Sequence, residues 1–170
     1  CGSRFGEKSV YKDRAIELGH WIAVNGHSLV YGGGNVGLMG TVANTVLKGG
    51  AKVYGIIPDF LMEQEKGHDG LYILEVVKSM PERKTRMINL GDAFIALPGG
   101  PGTLEEISEI ISLRRLNRVD KPCIVYNIDG FYEPLRNLIS EMVAAGFLPS
   151  EDSSKLVFAE SLVDIIKALS

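Results

Sequence analysis

Apolar side chains recur along this chain in two alternating rhythms: every third or fourth position, then in short unbroken runs. Tyr11, Ala15, Leu18 and Ile22 form a stripe at helical spacing that stops at Asn25-Gly26. Ser28 to Tyr31 is a strand-like run that gives way to Gly32-Gly33-Gly34. Met39, Val42, Ala43, Val46 and Leu47 restore the helical rhythm, which Gly49-Gly50 closes. Lys52 to Ile57 predicts a buried strand ending at Pro58, and Leu71 to Val77 predicts another. Pro81 suits the first turn of the next helix, where its missing N–H costs nothing. Ala93 to Leu97 is again strand-like and stops at Pro98. A helix expected from about Thr103 turns Leu104, Ile107 and Ile111 inward. Pro122 to Tyr126 is the last predicted strand. Two helical stripes follow, Leu135-Leu138-Ile139-Met142 and Leu162-Ile165-Ile166-Leu169.

Strands separated by helices imply parallel pairing through right-handed crossovers. The fold class is therefore α/β, a doubly wound, mostly parallel sheet with helices on both faces. No linker or repeat divides the chain, so residues 1–170 are expected to form a single Rossmann-like nucleotide-binding domain. Cys1-Gly2-Ser3 reads as a strand end entering a turn, which suggests a first or edge strand ahead of it. Ligands of such sheets sit outside the carboxyl ends of the strands. The loops at Gly2–Gly6, Gly32–Gly37, Pro58 onward, Pro98–Thr103 and Asn127–Gly130 would then share one edge. A site there draws on residues far apart in sequence.

Composition narrows the choice. Apolar residues make up 45% and charged residues 23%, ordinary for a folded domain. A net charge of −3 leaves no basic excess for a general nucleic-acid binder. Arg114, Arg115, Arg118 and Lys121 cluster locally, which a solvated helix end or a subunit contact explains. Cys1 and Cys123 are the only cysteines and have no C-x-x-C spacing, so neither a disulfide framework nor a metal site is expected. No apolar run approaches the ~20 residues that span a bilayer. A cytoplasmic protein with no membrane partner is the expectation.

Two glycine-rich loops carry candidate chemistry. In Pro98-Gly99-Gly100-Pro101-Gly102-Thr103, glycines let backbone N–H groups point inward at a helix start, where the helix adds positive potential. Thr103 can offer its hydroxyl to the same anion. The segment reads as a phosphate cradle; a plain tight turn capped by threonine would use the same residues. Gly32-Gly33-Gly34-Asn35-Val36-Gly37 fits G-x-G-x-x-G, a weak signal without the acid expected roughly 20 residues on. It reads as a close-approach turn beside the ligand.

Met80, Arg83, Lys84 and Met87 fall on one side of a helix. Two cations interrupting an apolar stripe call for a bound phosphate or a facing carboxylate, unless their long side chains reach solvent from its margin. Glu105 and Glu106 open the helix after the cradle. First-turn acids are favourable in any helix, but a carboxylate beside an anion site suggests work on the sugar rather than the phosphate.

These stretches resemble the LONELY GUY family, the cytokinin riboside 5′-monophosphate phosphoribohydrolases long labelled lysine decarboxylases. The family's P-G-G-x-G-T-x-x-E motif stands whole at Pro98–Glu106, and its M-x-x-R-K-x-x-M helix at Met80–Met87. Cys1-Gly2-Ser3, Tyr31–Gly34, Gly37–Gly40, Gly55–Pro58 and Asn127–Tyr132 fit as well, so the resemblance runs from Cys1 to about Phe147. It implies catalytic roles for Arg83 and Glu106. It implies substrate contacts for Glu65, Lys84, Gly99, Gly100, Gly102, Thr103 and Ser112, with Met80, Gly33, Gly34, Pro101, Leu104 and Glu105 around them. Two features depart from the family: Pro81 stands where many members have histidine, and Leu113–Arg118 differs from the W-A-Q-L-G type.

The reaction so implied is hydrolysis of the N-glycosidic bond of an adenosine 5′-monophosphate, N6-prenylated or plain. The products are free base and ribose 5-phosphate. No cofactor or metal is expected, and the partners are the small-molecule nucleotide and a second copy of the chain, as homodimer or higher homo-oligomer. The arginine and the glutamate are expected to meet across the anion pocket. The alternative is a non-catalytic nucleotide or molybdenum-cofactor carrier, which would keep a cradle without needing both residues. Lysine decarboxylation would need pyridoxal phosphate on a lysine, and Lys84 is the only lysine in these motifs.

Overall fold

The computed structural model describes residues 4–170. The strand end that the sequence suggests at Cys1-Gly2-Ser3 lies outside them. The chain forms two compact units, Cys1–Gly91 and Asp92–Ser170.

In the first unit, α1 (Ser9–Val24), β1 (Leu29–Tyr31), α2 (Gly37–Lys48), β2 (Val53–Pro58), β3 (Ile73–Val77) and α3 (Met80–Leu90) follow one another. The three strands pair in parallel in the order β1-β2-β3, with Tyr31 beside Gly55 and Pro58 beside Val77. Helix α1 packs on α2, where Gly19 meets the Thr45 side chain and Ala15, Leu18, Val42, Ala43 and Val46 are buried. Helix α3 lies against β1 and β2. It starts cleanly: Ser79 Oγ accepts the Glu82 N–H, Glu82 accepts the Lys78 N–H, and Pro81 occupies the first turn.

The second unit runs β4 (Phe94–Ala96), α4 (Pro101–Arg115), β5 (Cys123–Tyr126), α5 (Glu133–Ala144), α6 (Ser150–Ser153), β6 (Leu156–Ala159) and α7 (Leu162–Leu169). Its strands also pair in parallel, in the order β4-β5-β6. Parallel sheets flanked by helices make this an α/β protein of Rossmann-like class, as expected.

Four points depart from the sequence-based expectations. Strand β6 was not anticipated, because four residues with two half-buried side chains give no clear alternation. Helix α4 begins at Pro101 rather than about Thr103, with Gly100 as its N-cap. Its buried face is Thr103, Ile107 and Ile110, whereas Leu104 is 48% exposed and Ile111 only half-buried. The observed face keeps Ile107 but is turned by about 65° around the helix from the expected one. Leu138 likewise points outward, and Ile139 is the buried residue of α5.

Candidate active site

Buried polar side chains cost free energy unless they are bonded. In this protein they mark the strand ends: His68, Arg83, Thr103 and Asn127 are the buried polar residues among those described. Each holds a loop that follows a strand.

Arg83 is 2% exposed, in α3. Its Nε donates to the Ile56 carbonyl at 3.0 Å, and its Nη2 donates to the Gly32 carbonyl at 2.7 Å and to Glu65 Oε2 at 3.0 Å. Its Nη1 approaches the Met80 sulfur at 3.8 Å. The facing carboxylate that the sequence called for is thus Glu65, itself 17% exposed at the side chain. Two carbonyls from β2 and the glycine turn complete the cage. The reading of Arg83 as a side chain reaching solvent from the stripe's margin is excluded by this burial. Lys84, next on the helix, is half-buried, as is Met80.

The glycine turn exists because the arginine lies against it. A Cβ on Gly32 would sit 2.1 Å from Arg83 Nη2, and one on Gly34 would sit 2.8 Å from the Glu65 Cβ. Gly33 has φ +80 and backs onto Ile57 and Leu74 at 3.0 Å. Among the described residues, the close approach at Gly33 is made by Ile57 and Leu74, and at Gly34 by Met39 and the segment that carries Glu65. That segment is stitched to the turn by backbone bonds. The Asn35 N–H is shared by the Glu65 and Lys66 carbonyls at 2.9 Å, and the His68 N–H reaches Gly33 O at 3.0 Å.

His68 and Tyr31 were not foreseen. His68 Nδ1 accepts the Gly70 N–H at 3.1 Å, so its proton sits on Nε2, which donates to Asn44 Oδ1 at 3.1 Å. Asn44 passes the chain on to Asn35 Oδ1 at 2.8 Å. Burial lowers the His68 pKa, against the opposing charge of Asp69. The unfolded chain therefore takes up a proton near the ordinary value of about 6.5, whereas the folded chain resists until lower pH. The stabilisation is complete above that ordinary value and is lost as pH falls through the folded one. Urea midpoints of wild type and His68→Gln, compared from pH 8 to pH 5, should converge on acidification; parallel profiles would refute the role. Tyr31 is 5% exposed, and its hydroxyl has no hydrogen-bond partner among the described residues. Burial foremost, then the Glu65 charge, pushes its pKa upward, while Arg83 opposes.

In the second unit, Pro98, Gly99 and Gly100 connect β4 to α4. Pro101 has no N–H, and the Leu104 N–H bonds Gly100 O at 3.1 Å, so Gly102 and Thr103 carry the helix-opening donors, with no backbone carbonyl of their own among the described residues. Together with the helix's positive end, this is an anion-binding geometry. Thr103 is 4% exposed, and its hydroxyl packs where a Gly99 side chain would begin, 2.2 Å from that ideal Cβ. Glu106 is half-buried one turn along; Glu105 and Leu104 are exposed. Ser112 is exposed, and its hydroxyl donates back to Ser108 O at 2.9 Å.

Asn127, at the end of β5, accepts the Tyr132 N–H at 2.6 Å and donates to Glu133 at 2.7 Å. Tyr132 is 6% exposed and donates its hydroxyl to Leu97 O at 2.7 Å. Burial, and then the nearby Glu106 charge, raise its pKa. The Cys123 thiol is pushed up to about 11 by burial, which removes it as a nucleophile at neutral pH. No group of three or more His, Cys, Asp or Glu among the described residues is placed to hold a metal. No helix among them is long and apolar enough to cross a membrane.

Residues 39–169 match the family model described as possible lysine decarboxylase. The chain is 42% identical over 169 residues to the rice (Oryza sativa subsp. japonica) protein named probable cytokinin riboside 5′-monophosphate phosphoribohydrolase LOGL1, covering 99% of this chain and 76% of that one. It is 41% identical to cytokinin riboside 5′-monophosphate phosphoribohydrolase LOG4 of Arabidopsis thaliana, covering 99% and 79%. Among solved structures, the molybdenum cofactor binding protein of Rippkaea orientalis shares the fold, with a TM-score of 0.70 at 24% identity over 98% of this chain and 90% of that one. Family match and full-length identity agree with both motifs: the chain belongs to the possible lysine decarboxylase family in the form known as LONELY GUY (LOG).

Proposed function

We propose that the chain is a phosphoribohydrolase that cleaves the N-glycosidic bond of adenosine 5′-monophosphate, N6-prenylated or plain. The observation that carries this reading is the pair of intact motifs, Met80–Met87 and Pro98–Glu106, in a chain 41–42% identical to relatives named cytokinin riboside 5′-monophosphate phosphoribohydrolases. Water adds to C1′ of the ribose as the bond to the base breaks. The departing base gains a proton, and ribose 5-phosphate remains. The sugar passes through an oxocarbenium-like state, which Glu106 stabilises by its negative charge while drawing a proton from the attacking water.

The donors of Gly102 and Thr103 hold the 5′-phosphate, so that remote binding energy positions the bond to be broken. Arg83 acts through Nη1 and through Glu65, which it holds in place. Gly33, Gly34, Met80, Lys84, Gly99, Gly100, Pro101, Leu104, Glu105 and Ser112 contribute the surrounding contacts. Residues 1–170 work as one nucleotide-binding domain, without metal or cofactor, in a cytoplasmic homodimer or larger homo-oligomer. Incubation with isopentenyladenosine 5′-monophosphate, and separately with AMP, should release free base measurable by chromatography. No base from either nucleotide would overturn the reading. A carrier of nucleotide or molybdenum cofactor would instead return its ligand intact.

A further inference from the structure

The cradle between β4 and α4 is held at its two ends, and Gly100 is tied into the helix start by the Leu104 N–H, which its carbonyl accepts at 3.1 Å. Ideal Cβ positions on Gly100 and Gly102 meet no atom within 4 Å, so no side chain packs over that face of the loop. Glycine also has the widest backbone freedom of any residue. At the far end, Thr103 is buried against Gly99. At the near end the ladder between β4 and β5 finishes at Ala96, leaving the buried Leu97 carbonyl past the last paired residue. The Tyr132 hydroxyl donates to that carbonyl at 2.7 Å. The tyrosine is itself fixed, because Asn127 accepts its N–H at 2.6 Å and the Phe131 ring meets its ring edge-on at 4.9 Å.

From this geometry we infer that Tyr132 is a positioning residue for phosphate binding. Its O–H···O=C bond to Leu97 sets the entry of the Pro98–Gly100 loop and so aims the Gly102 and Thr103 donors at the start of α4. A buried phenol could have bonded any neighbouring acceptor. This one is spent on the peptide that leads directly into the cradle. The inference rests on the proposed nucleotide chemistry only in naming the anion as a 5′-phosphate.

Tyr132→Phe removes the hydroxyl and keeps the ring, so the second unit should fold as before. Ribose 5-phosphate binding by calorimetry should weaken by about tenfold, the range of one lost buried hydrogen bond. The KM for the nucleoside monophosphate should rise by a similar factor, with kcat within about threefold. Hydrolysis of the same nucleoside lacking its phosphate should be unchanged. A purely structural role would instead lower the melting temperature and leave the affinity of the folded protein alone. That outcome, or unchanged ribose 5-phosphate binding, overturns the inference, as does a wild-type chain that binds no ribose 5-phosphate. Asn127→Ala, which frees the Tyr132 backbone, should weaken binding in the same direction. If wild type binds ribose 5-phosphate more tightly than Tyr132→Phe but hydrolyses nothing, the proposed reaction falls and the role of Tyr132 stands.

Discussion

Glu106→Gln should lose between about two and four orders of magnitude in turnover, the usual contribution of a positioned acid or base, while nucleotide affinity stays within about threefold. Glutamine matches glutamate in shape, so the first turns of α4 and the Gly102 and Thr103 donors should be undisturbed. In the proposed mechanism, what disappears is the negative charge that stabilises the sugar cation and the site that takes water's proton. Both are needed only as the glycosidic bond breaks, so the loss should fall on kcat and leave ground-state binding almost untouched. Base release under single turnover, together with calorimetric binding of uncleaved nucleotide to the variant, measures the two parts separately. A variant retaining a third or more of wild-type turnover would remove Glu106 from the chemistry.

Arg83→Ala should cost the first unit about 3–5 kcal/mol, the penalty for breaking a buried ion pair by deleting one partner, and should abolish turnover as well. The side chain is 2% exposed and its partner Glu65 17%, so solvent does little to soften the loss. Removal strands the Ile56 and Gly32 carbonyls together with the carboxylate. Arg83→Lys should recover only part of the stability, because an ammonium cannot reproduce the fork that bonds two carbonyls and an acid at once. Urea midpoints of the three proteins give the order directly. A loss below about 1 kcal/mol in Arg83→Ala would show that the cage is not holding the unit together.

The strands were legible because their ends were. Gly32, Pro58 and Pro98 punctuate apolar runs, and β1, β2, β4 and β5 fall within a residue or two of where those signals put them. Strand β6 had no such punctuation. The inward face of α4 was misread because Thr103 is a polar residue buried by its duty to Gly99, while Leu104 is an apolar one left outside. Hydrophobic periodicity cannot register that exchange.

In the site, Arg83 declared itself as a cation in an apolar stripe. Its pairing with Glu65 did not, since the two are 18 positions apart with an irregular segment and strand β3 between them. His68 gave no sign, because a lone histidine in a polar loop looks the same whether buried or exposed. Tyr31, Asn127 and Tyr132 lay inside stretches already singled out by resemblance. Their hydrogen bonds depend on which strand ends stand next to one another, and spacing along the chain does not encode that.

The clearance at Gly32 has a consequence for how such a protein can change over generations. Every other amino acid would begin its side chain 2.1 Å from an Arg83 nitrogen, well inside van der Waals contact and against a guanidinium held by the Ile56 and Gly32 carbonyls and Glu65. Any amino-acid replacement at position 32 therefore has to displace the arginine, and loss of the arginine leaves the Gly32 and Ile56 carbonyls and Glu65 without their donor. Each residue closes the exits of the other, so a lineage can leave this arrangement only by altering both in one step or by passing through a damaged intermediate.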